Sequence, residues 1–146
     1  MSILPNDSAE VPPGFQPLAR SSAFLDLLGP LWQRPAQAGA DQTLTLGLHI
    51  RAQHCNARGN ADGGLLATLA DVGLGYATAF SREPAVRLTT VSLNLDYCGT
   101  ARQGDWLEVH SRILRIGRQM AFAEAQLRCA QRIVARASAV FHIPGG

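Results

Sequence analysis

Between Gly63 and Ser81 a single charged side chain, Asp71, interrupts nineteen residues that are otherwise apolar, small or uncharged. The run suffices for about five helical turns. Its apolar residues are not confined to one stripe, so a helix built from it needs cover around most of its circumference. With 146 residues, 47% of them hydrophobic, the chain can build one compact domain around one core, but not two. The remainder must therefore wrap the helix. Asp71 is the exception within it: burying an unpaired carboxylate is costly, so this side chain must face a polar cleft, a partner or water. It is the first candidate for function.

Composition narrows the partners. All thirteen basic residues are Arg, the net charge is only +2, and no basic run exists, which argues against non-specific nucleic-acid binding. Cys55, Cys98 and Cys129 are widely spaced, with no CxxC and no His at metal-ligand spacing, so they read as free thiols; neither a metal nor a cofactor is expected. The opening MSILPNDSAEVPPGFQPLAR lacks the basic and apolar regions of a signal peptide. Residues 1–20 are expected to be an extended lead-in, 21–146 the domain, and the address cytoplasmic. The long apolar run is not expected to span a membrane, because Asp71 and the Gly and Thr positions after Thr68 lower its hydrophobicity.

Ser21 or Ser22 can cap a short helix, SAFLDLLG, with Phe24, Leu25 and Leu28 on its apolar face and the Gly29-Pro30 breaker at its end. After a loop near 35–40, Leu44, Leu46, Leu48 and Ile50 alternate as one face of a strand. Beyond the long helix, Val91, Leu93, Leu95 and Tyr97 alternate with Thr90, Ser92, Asn94 and Asp96, giving a core-facing and a polar face. Runs at 105–116, 119–129 and 133–143 follow, joined by Gly117-Arg118 and Ala130-Gln131. They form a chain of antiparallel hairpins. The fold class is α+β: a long central helix wrapped by a curved antiparallel sheet.

The helix is entered through NARGNADGG, Asn56 to Gly64. Gly63 and Gly64 stand where a helix N-terminus presents unpaired N–H groups able to hold a carbonyl oxygen or an anion. They equally permit a tight strand-to-helix turn, and the sequence leaves both readings open.

Together these residues resemble the hot-dog fold thioesterases, and within them the PaaI-like group. Asn56, Gly59, Gly63, Gly64 and Asp71 follow that motif in order and spacing, and the similarity extends through LGPLW at 28–32, Thr90 to Tyr97, Gly104-Asp105 and Gly117. The resemblance implies an acyl-CoA thioesterase. Asp71 would be nucleophile or general base, the Gly63 N–H would hold the oxyanion, Asn56 would fix the turn or contact the reacting group, and Thr90 would orient water. It further implies a homodimer, pairing into a dimer of dimers, with the site between subunits and Asp71 and Thr90 on opposite chains. Asp62 and Gly64 would border the substrate; Arg115 and Arg118, flanking a hairpin turn, are candidates for its phosphates.

One position departs from the family: Asp62 stands where His usually precedes the two glycines. A carboxylate there serves as a helix N-cap, yet it also adds negative charge near a developing oxyanion. The alternative is therefore a non-catalytic acyl-CoA or ligand-binding protein of the same fold. His54 could in principle supply the missing imidazole. A hydratase fits less well, because position 67 is Ala, and no GxSxG elbow or phosphate-binding loop of the GxxxxGK type is present.

Overall fold

The computed structural model describes residues 11–36 and 43–145. The first ten residues of the expected lead-in, and most of the expected loop near 35–40, lie outside the described residues. The elements run β1 (Gln16–Pro17), α1 (Ala23–Asp26), β2 (Trp32–Arg34), β3 (Thr45–His49), α2 (Gly63–Ala79), β4 (Thr89–Tyr97), β5 (Trp106–Ile116), β6 (Met120–Cys129) and β7 (Arg132–His142). All seven strands join one antiparallel sheet in the order β1-β2-β3-β5-β6-β7-β4. The connection through α2 carries the chain from β3 to the far edge, where β4 pairs with β7.

The sheet face that packs on α2 is rich in small residues. Ala121, Ala123 and Ala125 on β6 and Ala135, Ala137 and Ala139 on β7 are buried, with Leu107 and Val109 on β5 beside them. Gly73 marks the closest approach, since a Cβ there would lie 2.7 Å from Val109. Leu65, Leu66, Leu69, Ala70, Leu74 and Ala77 fill the space between helix and sheet. Each fully buried leucine contributes ~1.5–3 kcal/mol relative to exposure.

Only one face of α2 is covered in this way. Thr68, Asp71, Val72, Gly75 and Tyr76 lie on the opposite face, half-exposed along an open cleft. The helix is thus apolar all round but wrapped on one side.

Several expectations need correction. The strand that contains Gln16 and Pro17 pairs with Trp32 and Gln33, so the sheet takes up part of the expected lead-in. Strands of two and three residues are too short to show a period, which is why β1 and β2 escape pattern reading. On α1, Ser22 is the cap, accepting the Leu25 N–H at 3.2 Å; Leu25 is buried, but Phe24 is exposed rather than part of a packed face. Strand β3 is buried on both faces, for the ring of Trp106 crosses Gly47 and leaves no room there for a side chain. On β4, Val91 and Tyr97 are exposed rather than core-facing, and only Leu93 and Leu95 pack against the core.

Candidate functional site

The β4 correction builds the site. Thr90 pairs with Phe141 and Ser92 with Val140, so Val91 is an extra residue, a β-bulge. The bulge shifts the alternation by one. Thr90 therefore falls on the face that Leu93 and Leu95 share, over the helix, and not on the polar face that simple counting assigns it. Its Oγ1 donates to Asp71 Oδ1 at 2.7 Å. Asp71 and Thr90 thus meet within one chain, which corrects the expectation that they come from opposite chains.

From Asp71 a cleft of about 1060 Å³ runs toward the C-terminal end of α2. Val72, Tyr76, Phe80, Val86 and Leu88 form its walls and Phe141 its floor. Its charged lining consists of Asp71, Arg20 and Arg87. The residues before Thr90 follow the helix closely: Val86 donates its N–H to the Ala79 carbonyl at 3.0 Å. Eight helical residues from Asp71 to Ala79 rise ~12 Å, and four extended residues from Thr90 to Val86 span ~13 Å, so the two walls keep step. The N-terminal segment closes the third side. Tyr76 donates its hydroxyl to the Arg20 carbonyl at 3.1 Å, and the Arg20 guanidinium lies 5.5 Å from the centre of the Phe80 ring.

At the other end of α2 the turn is tightly organised. Asn56 Oδ1 accepts the N–H groups of Arg58 at 2.9 Å and Asn60 at 3.3 Å, while its backbone pairs with Asn60 and Gly59. Its carboxamide oxygen is spent on the turn. Gly59 takes φ +79°, a conformation that glycine adopts without strain. Asp62 is the N-cap, accepting the Gly64 N–H at 2.8 Å, so that donor is occupied. Gly63, as the first helical residue, has no intrahelical acceptor for its N–H. Its carbonyl accepts the Tyr97 hydroxyl at 2.7 Å, with the ring close against the glycine.

Other candidates fall elsewhere. Arg115 sits beside a bulge on β5 opposite Phe122, Arg118 lies in the β5–β6 turn, and neither lines the cleft. His54 is buried and cannot replace an imidazole at the helix start. Its Nδ1 accepts the Arg51 N–H at 2.9 Å, and Nε2 donates to the Leu28 carbonyl at 2.6 Å. Burial, reinforced by the nearby Arg51 charge and opposed by the Leu28 hydrogen bond, lowers its pKa. His49 packs its ring edge-on against Trp106, far in the sheet from Asp71. Sequence reasoning missed Tyr76, Tyr97, Arg20 and Arg87. The tyrosines carried a signal, since a phenol on an apolar face needs a partner for its hydroxyl; the arginines carried none.

A family model for the thioesterase superfamily matches residues 59–135, which hold the helix, the Asp71–Thr90 contact and most of the sheet. The chain belongs to the thioesterase superfamily. It is 59% identical over 134 residues to a Pseudomonas aeruginosa protein whose name proposes an esterase, covering 92% of this chain and 98% of that one. It is 29% identical over 90 residues to acyl-coenzyme A thioesterase 13 of Mus musculus, covering 62% of this chain and 64% of the mouse protein. Among solved structures, a phenylacetic acid degradation-related protein of Ralstonia eutropha JMP134 superposes with a TM-score of 0.75 at 24% identity, covering 86% and 92% of the two chains. The fold is thus the hot-dog fold of PaaI-like proteins, and the family supports a thioesterase-type hydrolase. Among the described residues no helix is long and apolar enough to cross a membrane.

Proposed function

We propose that this thioesterase-superfamily protein hydrolyses acyl-CoA thioesters and that Asp71 is its general base. The observation that carries the reading is the Thr90–Asp71 hydrogen bond at the head of an apolar cleft. It fixes one carboxylate oxygen and leaves the other to take a proton. Water held by that oxygen attacks the thioester carbonyl carbon while its proton passes to Asp71. The carbonyl oxygen becomes an oxyanion, the C–S bond then breaks, and the thiolate leaves to collect a proton. The apolar walls suit a small, medium or aryl acyl group.

The oxyanion donor in this reading is the Gly63 N–H. Gly63 and Asp71 are separated by ~12 Å of helix, too far for both to touch one carbonyl. The site is therefore completed by a second copy, Gly63 of one chain facing Asp71 and Thr90 of the other. The edge strand β4, with Val91 and Tyr97 exposed along it, is the natural seam, since among the described residues no strand pairs with its outer N–H and C=O groups. A homodimer follows, and the family resemblance extends this to a dimer of dimers. One feature favours a second reading, a binding protein without turnover: Asp62 places a carboxylate at the helix start and engages the Gly64 N–H.

Thiol release from acetyl-, hexanoyl-, decanoyl-, benzoyl- and phenylacetyl-CoA, with Asp71→Asn beside the parent, separates the two. Turnover by the parent that falls about 10²-fold or more in the variant supports the hydrolase. Tight binding without turnover in either supports the ligand-binding reading, with Asp62→His as the change to try next.

A further inference from the structure

We infer that Arg20 and Arg87 form an anion subsite at the far end of the Asp71 cleft, taking a phosphate or carboxylate carried by the substrate. The inference rests on the thioesterase reading of that cleft. Both arginines line it, and neither has a carboxylate partner among the described residues. Arg34, Arg112, Arg132 and Arg136 are paired with carboxylates, and what sets Arg20 and Arg87 apart from the other arginines without one is their place in the lining of the Asp71 cleft. Two cations beyond the Asp71 carboxylate, in a cleft walled by Val72, Phe80, Val86 and Leu88, complement an amphiphile whose charge lies remote from its reacting bond.

The spacing supports this. Arg87 is three residues before Thr90, which sets it ~10 Å from the Asp71 contact. Arg20 is held at the same end through its own carbonyl, which the Tyr76 hydroxyl engages five residues along the helix from Asp71. Its guanidinium lies over the Phe80 ring, 5.5 Å from the centroid, so the cation already has a contact at this end of the cleft. The two arginines stand on different walls, Arg20 on the N-terminal segment and Arg87 on the segment leading into β4. An anion between them would bridge the walls with charge-assisted hydrogen bonds. The anion has two chemical sources, the phosphates of CoA or a carboxylate at the distal end of the acyl group, and the two are separable.

Arg20→Gln and Arg87→Gln are compared with the parent on four thioesters: phenylacetyl and 4-carboxyphenylacetyl, each on CoA and on N-acetylcysteamine, which has no phosphate. The expected result is a rise in KM of about tenfold or more, with kcat nearly unchanged, for substrates that carry the recognised anion. A rise on both CoA esters and on neither N-acetylcysteamine ester identifies phosphate. A rise on both 4-carboxy esters, whatever the carrier, identifies the acyl carboxylate. Unchanged KM throughout, or an equal rise for phenylacetyl-N-acetylcysteamine, overturns the subsite. If the parent hydrolyses none of the four, the thioesterase reading fails separately. Calorimetric affinity for CoA and for 4-carboxyphenylacetate then decides the subsite: weaker binding of either in Arg87→Gln sustains it, and equal binding of both overturns it.

Discussion

Thr90 matters because a carboxylate on a half-exposed helix face is free to choose among rotamers, and a base must be held where the water is. A hydroxyl at 2.7 Å removes that freedom. Hydrogen bonds to charged groups are worth ~1.5–3 kcal/mol, so Thr90→Val is expected to lower kcat about 10- to 100-fold with KM little changed, and Thr90→Ser to restore most of it. Steady-state kinetics of the two variants check this. Asp71 itself was legible in the sequence, as a lone charge on an apolar run, and so was the cap role of Asp62. The meeting of Asp71 with Thr90 was not, because a period-two count puts Thr90 on the outer face and the one-residue bulge at Val91 leaves no trace in composition. Arg20 and Arg87 were equally hidden, since two arginines 67 positions apart converge only through the fold.

Among the elements, α2 and β5 depend on a missing side chain. Gly73→Ala would drive a methyl to 2.7 Å from Val109, and neither a helix backbone nor a central strand gives way easily. A loss of ~1–3 kcal/mol is expected in denaturant unfolding, although alanine is the better helix former. The connection between α1 and the turn before α2 depends on His54, which is neutral when it accepts from Arg51 and donates to Leu28. Its pKa is lowered in the fold by burial, so the unfolded chain binds the proton more readily. The stability this neutral ring provides is complete above its ordinary value near 6.5 and is lost as pH falls through the lowered native value. Tm measured across that interval is expected to drop in the parent. In His54→Gln, which keeps a donor for Leu28 but does not titrate there, that part of the drop should vanish while Tm at neutral pH is somewhat lower. The long periodic strands β5, β6 and β7 were legible because inward alanines and leucines alternate with polar residues; β1 and β2 were not, being too short to alternate.

At the scale of the molecule, the covered face of α2 accounts for the core and the open face for the cleft. On the proposed mechanism, the ~12 Å of helix between Gly63 and Asp71 calls for two chains to complete one site. Subunit mixing tests that directly. Gly63→Pro removes the N–H at a helix position where proline is well tolerated, and Asp62 already has the extended backbone that a following proline requires. Gly63→Pro and Asp71→Asn are each expected to be nearly inactive alone. Unfolded and refolded together in equal amounts they should recover about a quarter of parent activity, since half the dimers are mixed and each mixed dimer has one intact site. No recovery would place both groups in one chain's site. Whether the Thr90-held carboxylate of Asp71 performs the chemistry is decided by kcat/KM for Asp71→Asn, Thr90→Val and the double variant on a CoA thioester that the parent hydrolyses. A fall of about 10²-fold or more is expected for Asp71→Asn, with almost no further loss on adding Thr90→Val, because the hydroxyl acts only through the carboxylate. Near-parent turnover in Asp71→Asn, or full additivity of the two changes, would contradict that role.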